Sequence, residues 1–83
     1  MYDENNRKKK GFFMGIFTQR ELEVVKFLSE GKSNKEIAKE LYISVHTVKA
    51  TLEKIYDKTG VHNRVLLALY AYKQNLIYYK KPA

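Results

Sequence analysis

Residues 17–61 read FTQRELEVVKFLSEGKSNKEIAKELYISVHTVKATLEKIYDKTGV, and this stretch carries three helix starts and two helix stops. Thr18-Gln-Arg-Glu21 is a capping box. The threonine hydroxyl accepts from the amide three residues on, and the glutamate reaches back to the free amide of Thr18. The spacing predicts a first helix to about Glu30, with Leu22, Val25 and Leu28 as its apolar stripe, Val24 and Phe27 beside them, and Gly31 supplying the left-handed exit. Ser33-Asn-Lys-Glu36 repeats the box and opens a short helix whose buried side is Ile37, Ala38 and Leu41. Tyr42 and Ile43 make a turn and Ser44 caps again. Val45, Val48, Leu52 and Ile55 then step by three, four and three along a third helix that Thr59-Gly60 stops.

Working outward, Asn63 or the residue before it caps a fourth helix through about Gln74, with Asn75 tolerating a left-handed exit. At the other end, MYDENNRKKKG is polar, lacks an apolar period and ends in glycine, so residues 1–17 are read as a flexible basic arm or linker. Phe12, Phe13, Met14, Ile16 and Phe17 form an apolar cluster too short for a signal peptide. The chain therefore divides into an arm, 1–17, a helical domain, 18–77, and a basic tail, 78–83. No strand pattern, phosphate-binding glycine loop or repeat is present. The fold class is all-α, a compact four-helix domain.

Composition narrows the function. Eighty-three residues with a net charge of +7 suffice for one small domain and exclude a multidomain enzyme. With 45% apolar and 30% charged residues, the chain has the profile of a folded protein. Cysteine is absent and there are two histidines, too few for a structural zinc site, so no metal and no cofactor is expected. No apolar run approaches the roughly 20 residues needed to cross a bilayer, which leads us to expect a cytoplasmic protein with no membrane partner. No nucleophile or paired acid has a positioning partner, so catalysis is not expected. An excess of positive charge makes an anionic partner the first expectation.

A capped short helix, a turn near Leu41 to Ser44 and a longer helix with a polar outer side form the layout of a helix-turn-helix, whose second helix lies in a major groove. The residues narrow this further. Phe17-Thr18, Arg20-Glu21-Leu22-Glu23-Val24, Gly31-Lys32-Ser33-Asn34-Lys35-Glu36-Ile37-Ala38, Ile43-Ser44, Thr47-Val48-Lys49, and Lys58-Thr59-Gly60-Val61 with Arg64 stand in the order found in LuxR-type helix-turn-helix domains. The sequence resembles that family from Phe17 to Ile77. The resemblance implies a sequence-specific regulator of transcription that binds duplex DNA, usually the output domain of a response regulator or quorum-sensing receptor, with a receiver domain possible upstream.

On the third helix, about residues 45–58, the outward positions are His46, Thr47, Lys49, Ala50, Glu53, Lys54, Asp57 and Lys58. Lys49 can donate to guanine N7 or O6, and Ala50 can meet a thymine methyl. Glu53 stands where the family often has a basic or amide side chain, and can accept from a cytosine amino group. Phosphate contacts are assigned to Thr18, Ser33, Asn34, Lys35, Ser44, Thr47, Thr51, Lys54 and Lys58, from hydroxyls and amides at helix starts and from lysines on the rim. Ser33 and Ser44 also serve as caps, and Lys54 also suits pairing with neighbouring acids. Arg20, Glu36 and Glu40 are read as pairing within the protein. Val65 to Ala71 is apolar nearly all round, where a small core needs one stripe. The family pattern turns Leu67, Ala68 and Ala71 inward, leaving Leu66, Leu69, Tyr70 and Lys73 as a weak homodimer interface, unless residues 12–17 or 78–83 fold over it. The alternative is a non-catalytic module for protein or RNA on the same scaffold. Single-stranded RNA readers display aromatics on an open platform, whereas Tyr56, Tyr70 and Tyr72 lie on helices.

Overall fold

The structure, a computed structural model, describes residues 16–74. Among the described residues there are four helices and no strand: α1 Gln19–Ser29, α2 Asn34–Leu41, α3 Val45–Thr59 and α4 Arg64–Lys73. The apolar cluster upstream of Ile16, the Asn75 exit and the tail at 78–83 lie outside them.

Each boundary follows from local chemistry. Thr18 and Ser33 both close capping boxes, with Glu21 and Glu36 answering the cap amides at 2.8 and 2.9 Å. Ser44 caps α3 by accepting from the Thr47 amide at 3.0 Å, and Asn63 caps α4 by accepting from the amides of Val65 and Leu66. Helix α1 ends in a Schellman motif in which the Gly31 amide donates to Leu28 O and the Lys32 amide to Phe27 O, with Gly31 at φ +87°. Gly60, at φ +73°, closes α3 by donating to Tyr56 O at 2.8 Å.

The turn between α2 and α3 differs. Its left-handed residue is Tyr42, at φ +56° and 96% exposed. The Ile43 amide reaches back to Ala38 O at 3.0 Å, so the geometry matches the α1 exit without a glycine to relax it. Leu41 and Ile43 on either side pack against the core and hold the strained residue between them.

The core is built around α1, which packs on α2, α3 and α4, while α4 packs chiefly on α1. Val24, Val25 and Leu28 from α1 meet Ile37 and Ala38 from α2, Val48, Leu52 and Ile55 from α3, and Leu67 and Ala71 from α4. Each fully buried Val, Ile or Leu contributes about 1.5–3 kcal/mol through lost contact with water. Phe17, assigned to the arm from its place in the sequence, is 7% exposed and belongs to this core.

Tyr42 yields a direct test of the turn. A non-glycine residue in the left-handed region costs about 1–3 kcal/mol, partly offset by glycine's larger entropy loss on folding. With no buried contact to lose, Tyr42→Gly should stabilise the domain by about 1 kcal/mol, seen as a melting temperature raised by about 4–8 °C in circular dichroism.

Candidate nucleic-acid interface

Helix α3 divides cleanly into two faces. Val48, Leu52 and Ile55 are buried, with Val45 and Tyr56 partly covered beside them. His46, Thr47, Lys49, Ala50, Glu53, Lys54 and Asp57 are exposed. Lys49, Ala50 and Glu53 follow His46 by three, four and seven residues, so these four share one strip of surface. The first turn of α3 contains no acidic residue, which leaves the positive end of the helix uncompensated.

The hydroxyls assigned to phosphate are bound into the helix starts in different ways. Thr18 and Ser33 accept amide hydrogens from Glu21 and Glu36, and their hydroxyls also hydrogen-bond the carboxylates of those same glutamates. Ser44 and Thr47 sit 2.9 Å apart, oxygen to oxygen, and share one proton between them. Thr51 donates its proton to Thr47 O at 2.8 Å and has only acceptor capacity left, which does not suit a phosphate. Lys35 and Lys54 are exposed and in no ion pair among the described residues.

Two assigned residues are drawn into the structure itself. Lys58 Nζ lies 2.6 Å from Glu21 Oε1 and 2.9 Å from Ile16 O, and 5.7 Å from the centre of the Phe17 ring. Its charge is spent on a carboxylate that is itself 3% exposed, so the lysine bolts the end of α3 to the start of α1 rather than waiting for phosphate. Asn34 receives the Arg64 guanidinium, whose Nη1 donates to Asn34 Oδ1 at 2.5 Å and whose Nη2 donates to Lys32 O at 2.7 Å.

Arg64 had no site role from sequence, although it stands in the motif. The pairings expected within the protein are present: Arg20 Nη1 donates to Leu41 O at 3.4 Å, Glu36 closes its capping box, and Glu40 lies 3.7 Å from Lys32 Nζ.

Helix α4 turns Leu67 and Ala71 inward, with Ala68 partly covered. Leu66 and Leu69 are 55% and 49% exposed. Tyr70, assigned to the outward stripe, instead packs partly against the core, and the exposed apolar face is completed by Val65 and Tyr72. The reason is angular. Tyr70 stands three residues after Leu67 and one before Ala71, close enough to the buried line for its ring to lie along it.

The chain matches the model of bacterial regulatory proteins of the luxR family over residues 15–71. It belongs to that family. Similar proteins include the transcriptional regulatory protein LiaR of Bacillus subtilis, 43% identical over 60 residues that make up 72% of this chain and 28% of that protein. The response regulator protein VraR of Staphylococcus aureus, and that of Staphylococcus epidermidis, are each 36% identical over 73 residues, 88% of this chain and 35% of theirs. The chain thus spans about a third of the length of these relatives. The luxR-family domain described here is a DNA-binding output domain of a transcriptional regulator.

In this luxR-family domain the pair of buried Glu21 with Lys58 contributes to the response to acid. Burial alone pushes the Glu21 carboxyl up, but hydrogen bonds from Lys58 and from the Thr18 amide, with the Lys58 charge, outweigh it and hold the pKa below the ordinary 4.5. Glu36 is also held low, by the Ser33 amide and hydroxyl. A carboxyl whose folded pKa is depressed stabilises the fold above its unfolded pKa and loses that contribution as pH falls through the folded one. Glu21→Gln keeps an acceptor for the cap and removes the charge. It should cost about 1–2 kcal/mol at pH 7, since Lys58 is partly solvated. The difference from wild type in urea unfolding should shrink between pH 5 and pH 3; a constant difference would mean that the pair does not stabilise the fold.

Proposed function

We propose that α3 enters the major groove by its N-terminal turns, with Lys49 donating to guanine N7 or O6, Ala50 packing on a thymine methyl and Glu53 accepting from a cytosine amino group. The observation that carries this reading is the exposed strip of His46, Lys49, Ala50 and Glu53 on a helix whose other face is locked into the core. Ser33, Asn34, Lys35, Ser44, Thr47 and Lys54 form the phosphate rim. Their donors stand at the starts of α2 and α3, or on lysines with no acidic partner among the described residues. The protein acts by binding, in the cytoplasm, with residues 18–77 as the DNA-binding unit and the basic residues of 1–17 adding charge that does not discriminate between sequences. No helix among the described residues is long and apolar enough to cross a membrane.

A receiver domain upstream is part of the reading, because the similar VraR proteins are response regulators of which this chain spans only a third. Pairing of two domains through α4 is a second part. A face of Val65, Leu66 and Leu69 on a domain this small is an apolar patch that a second copy can cover. A two-fold pair would place the α3 helices about 10 base pairs apart on an inverted repeat.

Two measurements test these assignments. On the best duplex selected from a random pool, Lys49→Ala should cost roughly 1–3 kcal/mol and flatten discrimination against scrambled DNA, whereas Lys35→Ala should weaken both duplexes alike and lower the log-log salt slope by about one. Identical behaviour of the two lysines would refute the division between base and phosphate contacts. For pairing, Leu69→Glu should abolish cooperative binding to an inverted repeat while half-site affinity is kept; cooperativity equal to wild type would exclude α4 as the interface.

A further inference from the structure

Arg64 is unusual among the charged residues of the domain. It opens α4, is half-buried, and reaches back 30 positions to the turn that starts α2. Among the described residues it pairs with no carboxylate, the ion pairs there being Lys32 with Glu40 and Lys58 with Glu21. Its two partners, Asn34 Oδ1 and Lys32 O, are both neutral. A guanidinium held on neutral acceptors keeps its full charge. That charge stands beside the start of α2, where the amides of Asn34 and Lys35 precede the first intrahelical bond, from Ile37 N to Ser33 O at 2.9 Å.

The contact also fixes which way the Asn34 amide points. A guanidinium carries donors and no acceptor, so the Asn34 atom that faces it must be the oxygen. The Nδ2 group is thereby turned away from Arg64, and among the described residues it donates to no protein atom. The bond from Nη2 to Lys32 O holds the backbone just ahead of Ser33, so the cap and the amide are set in one geometry. Glu36, two residues along α2, has Oε1 occupied by the Ser33 amide.

We propose that Arg64 is a positioning residue for DNA binding: it presents the Asn34 Nδ2 donor, together with the start of α2, to a single phosphate of the DNA backbone. This rests on the reading of α2 and α3 as the DNA-facing surface, and adds to it a role for a residue on α4. The selectivity is for the anion, not the base, so the effect is the same on every duplex sequence.

The test uses the full chain and a duplex holding one half-site. Asn34→Ala and Arg64→Lys should each weaken binding about tenfold, on selected and scrambled duplexes alike. The salt slope should be unchanged, because a neutral donor displaces no counterion and lysine keeps the charge. The double variant should be no weaker than either single one, since both remove the same contact. Asn34→Asp keeps an acceptor for Arg64 and loses the donor, so it should melt at or above the wild-type temperature while binding at least tenfold more weakly. Losses that multiply in the double variant would overturn the proposal, as would a lowered melting temperature for Arg64→Lys with affinity unchanged, or an Asn34→Asp protein that binds as wild type. Lys49→Ala measured alongside keeps the two readings apart. Loss of discrimination there, with multiplying losses at positions 34 and 64, leaves the groove docking standing and removes only the role of Arg64.

Discussion

One carboxylate, that of Glu21, joins three parts of the domain. Its Oε1 accepts from the Thr18 amide and from Lys58 Nζ, so a single oxygen starts α1 and holds the end of α3 against it. Lys58 in turn donates to Ile16 O, which fixes the chain just before α1. A buried charge without a partner is costly, and a half-made network is worse than an apolar contact. The arrangement therefore favours one relation between α1 and α3, the relation in which Lys58 reaches Glu21. Since α1 also packs on α2 and α4, fixing α3 against it fixes α3 against the whole core.

That constraint explains how a small domain divides its polar groups. Hydroxyls at 18, 33 and 44 satisfy helix starts that would otherwise leave amides bare. A hydroxyl that also served an anion would need its own proton free, and at Thr18 and Ser33 the hydroxyl is shared with the carboxylate that completes the capping box. Where it donates within its helix, as Thr51 does to Thr47 O, the second role is closed. Lysines divide in the same manner: Lys58 is committed to Glu21 and Ile16 O, while Lys35, Lys49 and Lys54 are in no ion pair among the described residues. Net charge is therefore a poor guide to this surface, and the place of each cation decides its use.

Helix α4 stands in a different relation to the fold. It packs chiefly on α1 through Leu67 and Ala71, and leaves Leu66 and Leu69 about half exposed. Its first residue, Arg64, reaches the start of α2. The same short helix thus carries an apolar face outward and a polar link toward the start of α2, so any partner covering the first is close to the second.

The sequence by itself determined what is local. Capping boxes, the glycines at 31 and 60 and the spacing of Val48, Leu52 and Ile55 fixed the helices to within a residue or so, because each signal acts over four residues or fewer. The outward strip of α3 followed from the same period, and the family from the order of the blocks. Tertiary structure decided the rest. The pairing of Glu21 with Lys58 spans 37 positions and that of Arg64 with Asn34 spans 30, and nothing in a pattern of local period marks which distant residues will meet. Hence Lys58 read as one more free cation and Arg64 as a motif residue without a task. Tyr42 in a left-handed turn and Tyr70 against the core have the same origin: packing of neighbouring residues, Leu41 and Ile43 in one case and Leu67 and Ala71 in the other, overrode the preference of the tyrosine itself.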